Sequence, residues 1–186
     1  ARVIGDSDFG ESARRVEIVD IPILSNKIDQ IELAGEIKQL AIKNPDYQIY
    51  IDSVGIGDTV VKLLRKDQEV EMSPNKISWG SPCFKKDQRS RFYNQRAQAM
   101  VWLRDAARDG RVKIHANLDK KTASKLIDQG TRIPYSFTDS GGAKYIIAKK
   151  EEMQKKGIKS PDIIDALAFC FLSNVTYNPA DCFSGD

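Results

Sequence analysis

The chain has 186 residues, of which 41% are hydrophobic and 30% charged, and its formal net charge is +3 at pH 7. This is the composition of an ordinary soluble protein about one domain long, and the mild positive charge permits nucleic-acid contact without requiring it. The single histidine argues against histidine-based nucleases and Ser-His-Asp hydrolases. The three cysteines lack the spacing of a metal site, so they argue against a zinc site and favour a reduced intracellular protein.

Strand and helix patterns alternate along the chain, which indicates an α/β fold. β-branched and period-two runs predict strands over residues 14–23, 47–52, 69–72 and 111–115, and a hairpin over 132–148. Apolar stripes predict helices over residues 28–41, 59–65, 88–109 and 118–129, then two closing helices, with a loop over 73–82. Arg96 falls on the apolar face of the 88–109 helix. No signal peptide or transmembrane run is visible, so no membrane contact is expected.

One candidate ligand, Asp52, ends the strand predicted over residues 47–52. A glycine-containing turn and a helix follow it, which together make an α/β crossover unit. Ligands of open α/β sheets gather beyond the carboxyl ends of the strands, where Asp52 is placed. The alternative is a turn or capping aspartate, although Asp58, directly before the predicted helix, fits capping better.

A second group of acids opens the last predicted helix, in which Ser160 is the expected N-cap and Pro161 the first helical residue. The seven residues 166–172 are all apolar, so this helix should be covered on most sides, and an ionised Asp165 within it needs a partner. Asp162 and Asp165 are three residues apart and share a face, where a divalent cation would be an economical partner. For Asp162 the alternative is a first-turn acid favoured by the helix dipole.

Three segments in this order carry a resemblance to a known family. Residues 49–65 resemble the second acidic motif, and residues 148–167 the C-terminal motif, of the nuclease domain of tailed-bacteriophage terminase large subunits. Residues 92–114 are similar to the long middle helix of that domain and the strand after it. The resemblance spans residues 14–175.

This resemblance implies an RNase H-like fold, with a central mixed β-sheet flanked by helices. It implies one nuclease domain over residues 1–186, with loosely held ends at 1–13 and 177–186, and without the ATPase domain, since no phosphate loop is visible. The implied activity is that of a Mg²⁺- or Mn²⁺-dependent endodeoxyribonuclease that cuts concatemeric viral DNA during genome packaging in the host cytoplasm. An all-oxygen ligand set suits these ions, and two of them can supply phosphodiester hydrolysis.

The implied metal ligands and catalytic residues are Asp52 and Asp165, with Asp162 as a further ligand. We expect the carboxylates of Asp52 and Asp165 to lie within one ion's reach, and their asparagine variants to keep their stability because like-charge repulsion is removed. For the first acid of the family pattern three possibilities stay open. Asp6 or Asp8 supplies it, or it lies outside this sequence, or residues are missing around 10–15. For Asp6 and Asp8 the alternative is a frayed polar terminus, which is slightly favoured.

DNA contact is expected to be electrostatic and independent of sequence. The candidate phosphate contacts are Lys85, Lys86, Arg89 and Arg91, then Lys144 of the hairpin, then Lys149, Lys150, Lys155, Lys156 and Lys159. For the last run the alternative is a solvated helix face. The resemblance implies double-stranded DNA, a terminase small subunit, the portal protein and the chain's own ATPase domain as partners.

Two alternative functions remain. A Holliday-junction-resolvase-like nuclease would share the fold but prefer branched over linear DNA. A non-catalytic docking module of the packaging motor would have an incomplete set of acids.

Overall fold

The computed structural model describes residues 1–5, 11–25, 27–67, 72–139 and 142–175. Contacts divide the chain into a larger unit, Ala1–Pro22 with Gly80–Asp186, and a smaller unit, Ile23–Trp79. The single-domain arrangement stays a prediction. Asp6, Asp8, the tail 177–186 and most of the strand predicted at 69–72 lie outside the described residues.

The order of elements is that of an α/β protein. The strands are β1 (Arg2–Ile4), β2 (Arg15–Ile18), β3 (Tyr50–Asp52), β4 (Asn75–Ile77), β5 (Val112–Ile114), β6 (Tyr135–Phe137) and β7 (Tyr145–Ile147). The helices are α1 (Gln30–Lys43), α2 (Ile56–Lys66), α3 (Gln95–Arg108), α4 (Lys120–Thr131), α5 (Lys150–Lys155) and α6 (Asp162–Ala168). None of the helices in the described part of the chain has the length and apolarity needed to cross a bilayer.

The larger unit contains a mixed sheet in the order β1-β2-β5, in which β1 and β2 are antiparallel and β2 and β5 parallel. Val16 and Ile18 point into the core, as the period-two pattern predicted. β2 ends at Ile18, not at residue 23, because its partner β5 ends there too. The amide of His115, just past β5, donates to the Ile18 carbonyl at 2.9 Å in the last bond of this ladder.

Helix α3 runs through the core of the larger unit, and its residues 95–101 are all buried. It begins later than the predicted residue 88. A short 3₁₀ turn, Asp87–Ser90, comes first, and the side chain of Asn94 then caps α3 by accepting from the Ala97 amide at 2.9 Å. The helix ends before Gly110, as predicted, where a φ of 70° favours glycine.

The predicted hairpin is present, with β6 and β7 antiparallel and Phe137 paired with Tyr145. The N-cap predicted for α6 was wrong by one residue. Pro161 is the N-cap, and the hydroxyl of Ser160 donates to the Asp162 carboxylate at 2.7 Å instead. Because Pro161 has no capping side chain, Gln129 of α4 accepts from the Ile163 amide at 2.9 Å.

In the smaller unit β3 and β4 form a parallel pair, and α1 and α2 pack through Ala34, Val60 and Leu64. The loop predicted over residues 73–82 was wrong, because β4 lies within it. This strand is three residues long and polar except for buried Ile77, so it has too little periodicity to be seen from the sequence.

Helix α2 begins at Ile56, three residues before the predicted start, with Gly55 as its N-cap. Asp58 therefore lies in the first turn, and its prediction as a cap was wrong. It pairs with Lys62 at 2.7 Å and with Lys76 of β4. Hydrogen bonds from these two lysines lower the pKa of Asp58 to about 2.

Candidate active site

Asp165 is buried in α6, with 7% of its surface exposed, and a buried arginine is its main partner. The Nε of Arg96 in α3 lies 3.1 Å from Oδ1 of Asp165, and Nη2 lies 3.4 Å from Oδ2. The remaining nitrogen, Nη1, donates to the Ala148 carbonyl at 3.1 Å. The guanidinium thus fixes the plane of the carboxylate and ties α3 to the segment between β7 and α5.

Lys150, at the start of α5, connects the two acids of α6. Its Nζ lies 3.5 Å from Oδ2 of Asp165 and 3.6 Å from Oδ1 of Asp162. The two carboxylates share a face, as their spacing predicted, and they share one cation. Asp162 differs from Asp165 in burial, since 68% of its side chain is exposed.

The sequence predicted that a buried Asp165 needs a partner and favoured a divalent ion. In the structure Arg96 and Lys150 fill that need. The signal for Arg96 was its position on an apolar helix face, since a buried guanidinium also needs an opposite charge. Its partner could not be identified from the sequence because 69 residues separate the two.

Asp52 is the last residue of β3 in the smaller unit and is half-buried. Its Oδ1 accepts from the Val54 amide at 3.1 Å, so the carboxylate is held in the turn that follows the strand. Gly57 packs directly on this strand end. A Cβ at Gly57 would fall onto the carbonyl oxygen of Asp52 and lie 2.9 Å from its carbonyl carbon and 3.1 Å from Ile51 Cγ2.

Within the residues that the structure describes, no three Asp, Glu, His or Cys side chains form a group that could hold a metal ion. The larger unit brings Asp162 and Asp165 together, whereas Asp52 belongs to the smaller unit. Asp6 and Asp8 lie outside the described residues. The predicted ligand set, and the predicted closeness of Asp52 and Asp165, therefore stay predictions.

Part of the predicted DNA-contacting set comes together beside the hairpin. The amide of Tyr145 donates to the Arg91 carbonyl at 2.9 Å, and the amide of Tyr93 donates to the Tyr145 carbonyl at 3.0 Å. The strand that follows Lys144 is thus flanked by the segment carrying the first basic cluster. All four members of this cluster are exposed: Lys85, Lys86, Arg89 and Arg91.

The later lysines lie on and around α5. Lys150 contacts carboxylates in this structure, so its predicted phosphate contact would require it to leave them. The others in this run are exposed and stay candidates for phosphate contact: Lys149, Lys155, Lys156 and Lys159.

Two sequence comparisons identify relatives of this chain. The family model of the terminase RNaseH-like domain matches residues 19–172. The probable terminase large subunit of Enterobacteria phage P7 is 30% identical over 138 residues, which are 74% of this chain and 26% of that protein. The chain thus spans about a quarter of the length of this curated relative.

Solved structures agree in fold. The nuclease domain of the large terminase subunit gp2 of bacterial virus Sf6 superimposes with a TM-score of 0.67 at 24% identity, covering 79% of this chain and 74% of that one. A variant of that domain with manganese gives the same TM-score and identity, covering 79% and 75%. The predicted RNase H-like fold is confirmed, and the chain belongs to the terminase RNaseH-like domain family.

Proposed function

We propose that this chain is a divalent-metal-dependent DNA endonuclease, the nuclease part of a phage terminase large subunit that cuts concatemeric viral DNA during packaging. Membership of the terminase RNaseH-like family supports the reaction class. The observation that carries the proposal is Asp165, a buried carboxylate whose oxygens face two cationic side chains.

The chemistry of the acids fits a hard divalent ion. Carboxylate oxygens are ligands that Mg²⁺ and Mn²⁺ prefer, and Asp162 and Asp165 already share one cation, the ammonium of Lys150. Asp52, at the carboxyl end of β3, is the proposed third ligand. The related Sf6 domain has been solved with manganese and, in another structure, with calcium.

The protein's own residues have distinct roles in this proposal. Arg96 keeps the plane of the Asp165 carboxylate fixed, and the turn hydrogen bond from Val54 holds Asp52. Bound divalent ions, two in our proposal, would supply an activated water and stabilise the leaving oxygen of phosphodiester hydrolysis. The side chain of Lys150 is 45% exposed, which leaves it room to turn from the carboxylates toward a DNA phosphate.

The proposed partners follow from the family and the relative. They are double-stranded DNA, a terminase small subunit, the portal protein and an ATPase domain of the same large subunit, in the host cytoplasm. The curated relative is named a probable terminase large subunit, and this chain matches about a quarter of it.

Nicking of supercoiled plasmid tests the activity. Cutting should require Mg²⁺ or Mn²⁺, stop with EDTA, and fail with Ca²⁺, whose coordination geometry is looser. Asp52→Asn and Asp165→Asn should abolish cutting. Asp128→Asn is the matched control, because Asp128 is an exposed acid that pairs only at the surface with Arg132, and it should cut like the parent.

The outcomes separate the candidate functions. Cutting by chelator-treated protein, or full activity of Asp165→Asn, would overturn the metal mechanism. DNA binding without metal-dependent cutting would favour the docking module, for which the lack of a three-ligand group within the described residues is the supporting observation. Preferential cutting of four-way junctions over linear duplex would favour the resolvase-like nuclease.

A further inference from the structure

The β6–β7 hairpin presents aromatic rings on one face. Tyr135 and Phe137 are two residues apart on β6 and therefore point to the same side, where Tyr145 of β7 joins them. The ring centroids of Phe137 and Tyr145 are 4.7 Å apart, and those of Tyr135 and Tyr145 are 5.8 Å apart. This group of three rings is called the aromatic face below.

The aromatic face is open to solvent, with Tyr135 51% and Phe137 49% exposed. Half-exposed rings on a short hairpin lose the burial that normally holds aromatic residues in a core. The rings contact one another, and their exposed surface is available to a ligand.

A positive charge lies against two of these rings. The guanidinium carbon of Arg104 lies 5.1 Å from the Tyr135 centroid and 5.4 Å from that of Tyr145. Arg104 also pairs with Asp105, at 2.8 Å from Nη2 to Oδ1, so its charge is partly balanced. The Tyr145 amide donates to the Arg91 carbonyl at 2.9 Å, and Lys144 directly precedes Tyr145 in the chain, so the backbone next to Tyr145 carries two further cationic residues.

Aromatic rings with cationic residues beside them fit a ligand that carries planar apolar groups and negative charge together. Unpaired DNA bases with their phosphates have both properties, and base stacking on exposed aromatic side chains does not depend on sequence. In duplex DNA the base faces stack on one another and are closed to such contact. The charge of the surroundings therefore favours a single DNA strand over an uncharged apolar protein segment.

We propose that the aromatic face binds an unpaired DNA strand, with bases stacked on Tyr135 and Phe137 and phosphates contacted by Arg104 and Lys144. This deepens the proposed function, on which it rests for DNA as the ligand, by naming the form of DNA held beside the nuclease. Such a strand exists at a frayed or freshly cut end.

Fluorescence anisotropy with a labelled oligothymidine of about 12 nucleotides, compared with a duplex of equal length, tests the proposal. Tyr135→Leu and Phe137→Leu should each weaken oligothymidine binding about tenfold, as loss of one stacked base predicts, and change duplex binding less than about twofold. Tyr47→Leu is the matched control, since Tyr47 is a 63% exposed tyrosine of the smaller unit, and it should change neither affinity.

Two further measurements extend the test, and the second uses the unmodified protein, so it does not depend on how well the variants fold. Lys144→Gln should lower the salt dependence of binding by about one unit of slope, as loss of a phosphate contact does. Ultraviolet crosslinking of the unmodified protein to an iododeoxyuridine-containing strand should label the peptide that carries Tyr135 and Phe137. Crosslinks found only elsewhere, or equal losses of single-strand and duplex binding in the leucine variants, would overturn the proposal.

Plasmid nicking by the same proteins separates this inference from the proposed function. Oligothymidine binding through the aromatic face by a protein that never cuts would sustain the inference and overturn the nuclease activity. Metal-dependent cutting by a protein whose leucine variants bind oligothymidine like the parent would overturn the inference and sustain the nuclease activity.

Discussion

Arg96 and Asp165 lie 69 residues apart in the sequence and form a two-contact ion pair inside the larger unit, with 11% and 10% of their side chains exposed. The pair joins α3 to α6, and its third donor reaches the Ala148 carbonyl. A buried charge that loses its partner is strongly destabilising, so this pair couples the geometry of the candidate site to the stability of the unit.

Removing either charge of this pair should destabilise the protein. We expect Arg96→Met or Asp165→Asn to lower the free energy of unfolding by about 3 kcal/mol, because each leaves a buried partner uncompensated. The sequence-based expectation of unchanged stability for Asp165→Asn assumed repelling acids, whereas the Asp165 carboxylate forms ion pairs with two cations, Arg96 and Lys150. Urea unfolding measures the change, and the exposed-pair control Asp128→Asn should shift it by less than about 1 kcal/mol.

The double variant Arg96→Met with Asp165→Leu separates stability from function. It removes both charges, so its stability should recover to near the parent value, as buried pairs replaced by apolar residues often do. Plasmid cutting should stay lost, because a leucine cannot act as a ligand. A double variant no more stable than Arg96→Met alone would contradict the conclusion that Arg96 and Asp165 compensate each other's charge.

Gly57→Ala should displace the end of β3 that carries Asp52. The added Cβ would fall onto the Asp52 carbonyl oxygen, and backbone has little room to yield. We expect a loss of about 1–3 kcal/mol in urea unfolding, together with weaker plasmid cutting. Gly35→Ala in α1 is the matched control, because among the described residues no atom beyond its chain neighbours and its own helix backbone lies within 4 Å of an added Cβ, and it should gain about 0.5–1 kcal/mol. Equal effects of the two changes would contradict the close approach.

Glu11 should make stability fall as the pH rises. Burial raises its pKa from 4.5 to about 7, against the lowering effects of Arg14 and Arg111. Between these pH values the native state holds a proton that the unfolded state has released, so the free energy of unfolding decreases by about 3 kcal/mol through this window. The contribution is fully present below pH 4.5 and lost above about pH 7.

Glu11→Gln should remove this dependence. Urea unfolding of parent and variant at pH 5 and pH 8 isolates the contribution of Glu11, because the contributions of other titrating groups cancel when the two proteins are compared. If the free energy of unfolding depends on pH in the same way in both proteins, burial does not perturb the pKa of Glu11.

Gln129→Ala should weaken the start of α6, since the Gln129 side chain accepts from the Ile163 amide at 2.9 Å and Pro161 provides no cap. Loss of this bond should cost about 1 kcal/mol, typical of a lost helix cap. Gln154→Ala changes an exposed glutamine on α5 and is the control. Its free energy of unfolding, measured in urea, should stay near the parent value. Identical stabilities of the two variants would show that water replaces Gln129.

Local patterns in the sequence determined the elements whose own residues repeat regularly. The apolar stripe over residues 28–41 predicted α1, found at Gln30–Lys43, and the run that ends at Asp52 predicted the end of β3. The pattern over residues 132–148 predicted a hairpin, found as β6 and β7. These features depend on neighbours within a few positions, so periodicity and turn chemistry are sufficient to find them.

Only the tertiary structure decided which distant residues meet. β4 exists because the Asn75 amide donates to the Ile49 carbonyl at 2.7 Å, and its own three residues carry almost no pattern. The sequence identified Asp165 as a buried acid in need of a partner, but the choice of Arg96 follows from how α3 and α6 pack. A charge can be satisfied by any opposite charge that folding brings within reach, and chain packing, not local sequence, sets that distance.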